Sequence, residues 1–360
     1  MSLHKATIRL RIRRIYMTNY LEKVKIRDID INDPFFDSLK ADYDGFENWF
    51  KRKKDEEAYV LYEKGLVNGF LYLKYESGPI TDVTPNIQCI NALKIGTLKI
   101  NPHGTRLGER FIKKALDYAI AGKVDLCYVT IFEKHDALVK LFEKYGFNRA
   151  ADKNGELVLV KNFREVKNNI LLDYPLINTR NKQKFLLAIY PKYHSVMFPD
   201  SILNNENIDI LEDVTITNSI HKTYVTTMRV NQANPGDILV MYRTRSEGMS
   251  AEYTAVATSV CIVEEVKSQK EFANFEDFYT YATTYSIFDK DDLKSWYDRG
   301  RCYAIKMTYN AALTKRLIRK KLADGIGLDR NTRWSFIKLS DEHFKRILKE
   351  GGVSEGIVIN

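Results

Sequence analysis

No window of this sequence approaches the ~18 apolar residues that a membrane-spanning helix requires. Its four cysteines, Cys89, Cys127, Cys261 and Cys302, lie far apart and form no CxxC pair. That spacing argues against zinc ribbons and redox dithiols, and no metal site is expected. Cys127 and Cys261 sit inside apolar runs and read as buried thiols, a usage that suits a reducing cytoplasm. No internal repeat or low-complexity tract appears, which excludes solenoids and disordered arrays. The N-terminal run Ile8-Arg9-Leu10-Arg11-Ile12-Arg13-Arg14-Ile15 lacks the continuous apolar core of a secretory signal. It reads as a strand or frayed leader, as a basic nucleic-acid-binding arm, or as an extension ahead of a start at Met17.

What is present is charge and enough length for two cores. The chain has 360 residues, 44% hydrophobic and 29% charged, which is globular composition. At roughly 100–200 residues per domain it accommodates two ordinary domains. A formal net charge of +9 favours an anionic partner, because a basic surface concentrates polyanions around it. CoA, RNA and acidic protein satisfy that equally.

Periodicity divides the chain near residue 165. In the first part the segments Lys23 to Arg27, Ala58 to Glu63, Phe70 to Tyr75, Ala92 to Ile100 and Leu126 to Ile131 read as strands. Pro34 to Lys54, Thr105 to Ala121 and Asp136 to Tyr145 carry apolar residues at helical spacing. Strands alternating with helices imply a mixed α/β sandwich. The expected boundaries are a leader over 1–21, a first domain over 22–163, a linker over 164–184 and a second domain over 185–360. The second part has short strands, at Phe185 to Tyr190, Thr223 to Arg229, Asp237 to Tyr242, Thr254 to Glu264 and Cys302 to Met307, with helices at Ala311 to Leu322 and Asp341 to Leu348. That texture predicts a compact β-barrel with peripheral helices.

The richest stretch runs Leu98-Lys99-Ile100-Asn101-Pro102-His103-Gly104-Thr105-Arg106-Leu107-Gly108-Glu109. A strand stops at Pro102, a small-residue turn follows, and a helix begins whose first N–H groups have no intrahelical acceptor. Those donors and the positive end of the helix dipole suit a pyrophosphate. An ordinary strand-to-helix turn with a glycine in it reads the same way from these residues alone.

The stretch resembles the GNAT N-acetyltransferases, whose pyrophosphate loop reads Gln/Arg-x-x-Gly-x-Gly/Ala ahead of an amphipathic helix. Here the six residues are His103-Gly104-Thr105-Arg106-Leu107-Gly108, so Gly108 matches while Arg106 and His103 depart from the pattern. A second family motif, a strand followed by Asn, then Tyr seven residues on, then x-x-x-Gly-Phe, is similar to His135, Phe142 and Gly146-Phe147. Over residues 22–163 the resemblance implies a GNAT fold with a mixed central sheet. It also implies acetyl-CoA or another acyl-CoA as co-substrate, and acyl transfer to an amine. It assigns the cofactor to Leu98, Lys99, Ile100, His103, Gly104, Thr105, Arg106, Leu107, Gly108, Glu109, His135 and Phe142. Phe142 has no proton to give the leaving thiolate, so Tyr145, one helical turn on, is the substitute, with plain packing as its other reading. His135 accepts a pantetheine hydrogen bond, acts as a base near neutral pH, or simply starts a helix. No carboxylate lies between Asn91 and Ile100, which leaves Glu76 and Asp82 as the nearest candidates for a general base. Gly96 is the expected site of a bulge in the splayed strand that holds the thioester.

From Phe185 the chain resembles the PUA-like superfamily, in particular ASCH or EVE-type domains. The likeness rests on Phe185 to Tyr193, Pro235-Gly236-Asp237-Ile238-Leu239-Val240-Met241-Tyr242-Arg243-Thr244, and the strand opening at Tyr253. It implies a cleft for RNA or a modified base, with Lys192, Tyr193, Arg243, Arg245 and Trp334 as candidate contacts. Packing inside the barrel is the other reading of the aromatic groups. Lys315-Arg316-Leu317-Ile318-Arg319-Lys320-Lys321 reads as the basic face of a helix. Together these readings give a cytoplasmic N-acetyltransferase carrying a domain that brings it to RNA or a ribonucleoprotein. A nucleic-acid-binding protein that keeps the acyltransferase fold as a CoA sensor is the alternative.

Overall fold

The computed structural model describes residues 21–63, 65–101, 107–198 and 220–359. They fall into two compact units, one over 21–143 and 147–164, the other over 144–146 and the described residues from 165 onward.

The first unit is built on a seven-stranded mixed sheet. Its strands are β1 (Leu21–Lys25), β2 (Glu57–Glu63), β3 (Leu66–Ser77), β4 (Asn91–Ile100), β5 (Leu126–Ile131), β6 (Asn148–Lys153) and β7 (Glu156–Asn162), in the order β1-β2-β3-β4-β5-β7-β6. All neighbours are antiparallel except β4 and β5. The parallel pair is joined by helix α3 (Leu107–Ala121), as a parallel connection requires. Helices α1 (Asp37–Asp42) and α2 (Phe46–Arg52) precede β2, and α4 (Asp136–Lys144) follows β5.

The apolar spacing of Pro34 to Lys54 predicts one helix, and the structure has two. The chain leaves the helix at Tyr43, and Gly45 adopts φ +80°, a left-handed conformation that costs a side-chain-bearing residue. Phe36 and Phe50 pack on Phe70 of β3, and Phe46 and Phe50 on Phe36, with ring centroids 5.5–6.3 Å apart. Offset and edge-on ring pairs of this kind add about 0.5–1.5 kcal/mol each beyond their burial.

The second unit has a six-stranded mixed sheet. Beyond the short β8 (Ile177–Asn178), its strands are β9 (Lys184–Ile189), β10 (His221–Thr226), β11 (Ile238–Arg243), β12 (Val256–Ser268), β13 (Tyr303–Ile318) and β14 (Phe336–Leu339). Their order is β10-β13-β12-β11-β9-β14, with β9 parallel to β11. Among the described residues β10 and β14 are the two edges of this sheet, where closure into a barrel was expected. Helices α5 (Pro191–Met197), α6 (Ala251–Thr254), α7 (Phe275–Thr283), α8 (Lys290–Tyr297) and α9 (Asp341–Glu350) accompany it, and β15 (Val358–Ile359) pairs with β8. Side chains of Asn274, Asp289 and Ser340 cap α7, α8 and α9, each accepting a backbone N–H three residues on.

One helix expected here is a strand. Ala311 to Ile318 continues β13, paired with β12 as far as Ile318 opposite Val256, and the chain coils only over residues 319–326. Helical spacing of Leu313 and Leu317 suits both states. The long antiparallel partner, with bulges taking up the slack, decides for the strand.

Candidate functional site

β4 and β5 run side by side only at their beginnings. Their register pairs Ala92 with Leu126 and ends at Ile95 opposite Val129, although β4 continues to Ile100 and β5 to Ile131. Along its other edge β4 stays paired with β3 as far as Ile100 opposite Gly69. That second ladder slips once: Tyr72 faces Thr97 while Leu73 faces Ile95. Gly96 is therefore the extra residue of a bulge, at the place expected for it, and a bulge bends its strand. Beyond Ile95 the edge of β4 that faces β5 has no strand partner among the described residues. Its N–H and C=O groups are left for water or an extended ligand.

A groove of about 740 Å³ opens at this parting. β4 contributes Ile95 to Ile100, β5 contributes Val129 to Ile131, and the turn into α4 contributes Lys134, His135 and Asp136. The rest comes from α1, α2 and the break between them, with Asp42, Tyr43, Asp44, Phe46, Trp49 and Arg52.

The polar groups of the groove are fixed by specific bonds. Lys134 Nζ donates to Asp42 Oδ1 at 2.5 Å, and His135 Nε2 lies 3.3 Å from Asp42 Oδ2. The Lys134 hydrogen bond is the main influence holding the Asp42 carboxyl below the ordinary carboxylate value. Tyr43 donates its hydroxyl to Glu156 Oε1 at 3.0 Å, and its ring lies 5.3 Å from that of Phe132. Burial, then the Glu156 charge, raises that phenol well above its ordinary value, so it stays protonated at neutral pH. Lys99 donates to the Phe35 carbonyl and lies 4.7 Å from the Phe35 ring centroid. Desolvation lowers its pKa.

Of the residues singled out by sequence, Leu98, Lys99, Ile100 and His135 meet in this groove. His103, Gly104, Thr105 and Arg106 lie outside the described residues. Leu107 and Glu109 are buried at the start of α3. A Cβ on Gly108 would lie 2.5 Å from Leu141 Cδ2 of α4, so Leu141, a half-buried side chain, would have to turn its end aside. Phe142 is fully buried edge-on against Phe147, 4.9 Å between centroids, and does not line the groove.

Two proposed catalytic groups are elsewhere. Glu76 stands opposite Ala92, at the end of β4 remote from the parting, where it accepts from Lys74 at 2.8 Å and from the Tyr128 hydroxyl at 2.5 Å. Tyr145 groups with the second unit, where it is fully buried with its hydroxyl 3.1 Å from His221 Nε2. Asp42, Trp49 and Lys134 escaped the sequence reading. Its available signal was the Asp42-Tyr43-Asp44-Gly45 run, turn-forming residues inside a helical pattern.

In the second unit Lys192 and Arg245 are exposed. The other candidate nucleic-acid contacts are packing groups. Tyr193 is buried with its hydroxyl on Asp292 at 2.8 Å. Arg243 is buried, donating to the carbonyls of Thr244 and Thr254. Trp334 is buried between Tyr242 and Arg319, with Nε1 donating to the Asp329 carbonyl at 2.8 Å.

Among the described residues no group of three or more His, Cys, Asp or Glu side chains is placed to hold a metal, and no helix is long and apolar enough to cross a membrane. No family model matches the chain, and the search of curated proteins gives no match. Solved structures similar to parts of it include members of two groups. One is an ASCH protein from Zymomonas mobilis, 7% identical with a TM-score of 0.33, covering 46% of this chain and 94% of its own. The other includes the PaiA N-acetyltransferase of Thermoplasma acidophilum in complex with coenzyme A, 13% identical, TM-score 0.30, covering 41% of this chain and 100% of its own. A GNAT-family acetyltransferase from Listeria monocytogenes is 19% identical with a TM-score of 0.27 over 35% of this chain and 76% of its own. The likeness is too slight to carry activity or ligand from those proteins to this chain.

Proposed function

We propose that the first unit is an acyl-CoA-dependent N-acyltransferase, moving an acetyl group from acetyl-CoA to an amine. We propose further that the second unit brings it to RNA or a ribonucleoprotein. The domains would be 22–163 and 185–360, joined by 164–184. The observation that carries the first proposal is the parting of β4 and β5 at the Gly96 bulge, with a groove of about 740 Å³ between them. The arm of CoA that bears the thioester is an extended chain with amide groups. An unpaired strand edge is the surface that binds such a chain, by main-chain hydrogen bonds. Leu98, Lys99 and Ile100 would supply that edge. Residues 103–106 and the first N–H groups of α3 would take the pyrophosphate. The amine nitrogen would attack the thioester carbonyl carbon as the carbon–sulfur bond breaks.

Calorimetric titration with acetyl-CoA, followed by thioester turnover against small amines, lysine peptides and bulk tRNA, tests this. Saturable binding with amine-dependent release of free thiol is expected. A chain that binds no acetyl-CoA is not an acyltransferase. Binding without turnover on any amine would favour the second reading, a CoA-sensing module without catalysis, which the burial of Phe142 and Tyr145 away from the groove supports. For the second unit, exposed Lys192 and Arg245 support an RNA role. Affinity for RNA that falls with salt, with a slope reduced by about 0.7 on Lys192→Ala, is expected, and no affinity at low salt would remove the idea.

A further inference from the structure

We infer that Asp42 and His135 form a proton-accepting dyad for the acceptor amine, with His135 the group that takes the proton and Asp42 the residue that positions it. This deepens, and rests on, the acyltransferase reading of the groove.

The chemistry requires a base. An ordinary alkyl ammonium loses its proton near pH 10, so at neutral pH the acceptor arrives without a free lone pair on nitrogen. The side chain that takes that proton must stand in the groove and have an unengaged acceptor atom. Among the ionisable groups lining it, Asp42 is held by Lys134 and pushed toward lower pKa, which makes it a weak base. Asp44 and Asp136 are exposed, and Asp136 pairs with Lys140 at 2.7 Å. Tyr43 is protonated and bonded to Glu156, so it has a proton to give and none to take. Lys99, Lys134 and Arg52 are cations or engaged donors. His135 remains.

The geometry gives His135 what a base needs. Its backbone carbonyl accepts from Leu138 N at 2.9 Å and Val139 N at 3.0 Å, which anchors the residue to the first turn of α4. Its Nε2 faces Asp42 Oδ2 at 3.3 Å, so the carboxylate draws the ring proton to Nε2 and leaves the Nδ1 lone pair open. The ring is 40% exposed, giving the captured proton a way out to water. The proton balance closes: one ammonium proton goes to Nδ1, and the freed nitrogen forms its bond to the carbonyl carbon. The carbon–sulfur bond then breaks with its electron pair on sulfur. A second proton from nitrogen ends on that sulfur, and the imidazolium returns the first to solvent.

The test uses the full chain and the variants His135→Gln and Asp42→Asn, each checked for wild-type melting. His135→Gln is expected to lower kcat about 10²–10⁴-fold, beyond any change in acetyl-CoA affinity read by calorimetry. Nitrogen NMR of the ligand-free protein should show the His135 ring protonated on Nε2 in its neutral form. Asp42→Asn should abolish that preference and lower kcat/KM with the fold intact. If acetyl-CoA binds and turns over but His135→Gln keeps the wild-type rate and pH profile, the dyad is wrong and the acyltransferase stands. A ring protonated on Nδ1, or unchanged by Asp42→Asn, overturns the dyad even where His135→Gln fails to fold. If the wild type binds no acetyl-CoA, both fall together.

Discussion

Gly108 and Leu141 lie so close that a Cβ on the glycine would stand 2.5 Å from Leu141 Cδ2. Exposed inside a helix, Gly108→Ala would stabilise by up to about 1 kcal/mol. Here the methyl must turn the end of the Leu141 side chain aside, and an off-rotamer side chain costs about 0.5–1.5 kcal/mol. We expect Gly108→Ala to lower the melting temperature and Gly108→Ala with Leu141→Ala to lose less than the sum of the two single changes. A melting temperature raised by Gly108→Ala alone would show that α3 and α4 are less tightly joined.

His194 is fully buried, with Nε2 2.7 Å from Thr258 Oγ1. Burial first, then the charges of Arg243 and Arg316, lowers its pKa to about 3. The unfolded chain takes up this proton near the ordinary histidine value of 6.5, and the folded chain does so only at about 3. Because the unfolded state binds more protons in that window, stability falls as the pH drops from 6.5 toward 3. His194→Gln should lower stability at neutral pH and flatten this slope, read as urea midpoints at pH 7.5 and 5. An unchanged slope would assign the acid sensitivity to other groups.

Arg319 lies with its guanidinium carbon 4.1 Å from the Trp334 ring centroid, while its Nη2 donates to the Arg330 carbonyl at 3.2 Å. A lysine keeps the charge and loses both the planar stacking and the fork. Arg319→Lys should cost about 1 kcal/mol, visible as a lower denaturation midpoint with Trp334 fluorescence shifted to the red. Equal midpoints would mean the pair is incidental.

Tyr43→Phe removes the bond to Glu156 and keeps the ring on Phe132. A loss of about 1.5–3 kcal/mol is expected, since the deleted hydroxyl served a charged acceptor. Acetyl-CoA affinity in the same variant separates the roles: unchanged affinity makes Tyr43 structural, and a loss makes it part of the ligand surface.

Much of the first unit was legible because amphipathic spacing survives folding: Leu107 to Ala121 and Asp136 to Lys144 are helices, the first burying its apolar stripe and the second Phe142. The Gly96 bulge was expected from the resemblance, which calls for a splayed strand, together with the one glycine inside that strand. What escaped was set by contacts between distant segments. Nothing in the neighbourhood of Asp42 says that Lys134 and His135 will meet it, and the helical spacing through Phe46 and Phe50 hides the break that frees Tyr43. In the second unit the basic run from Lys315 fits a helix in isolation, and the long pairing with β12 makes most of it strand. Trp334 and Tyr193 look like stacking surfaces until their burial is known.

The parting of β4 from β5 leaves the first unit with a sheet whose last rungs can be completed from outside. Whatever extended molecule does so binds the folded state and not the unfolded one. It therefore raises the stability of that state by RT ln(1 + [L]/Kd), about 2.7 kcal/mol when the free ligand stands at a hundred times its dissociation constant. The temperature at which this unit melts is then a gauge of how much ligand surrounds it, readable before any reaction has been identified.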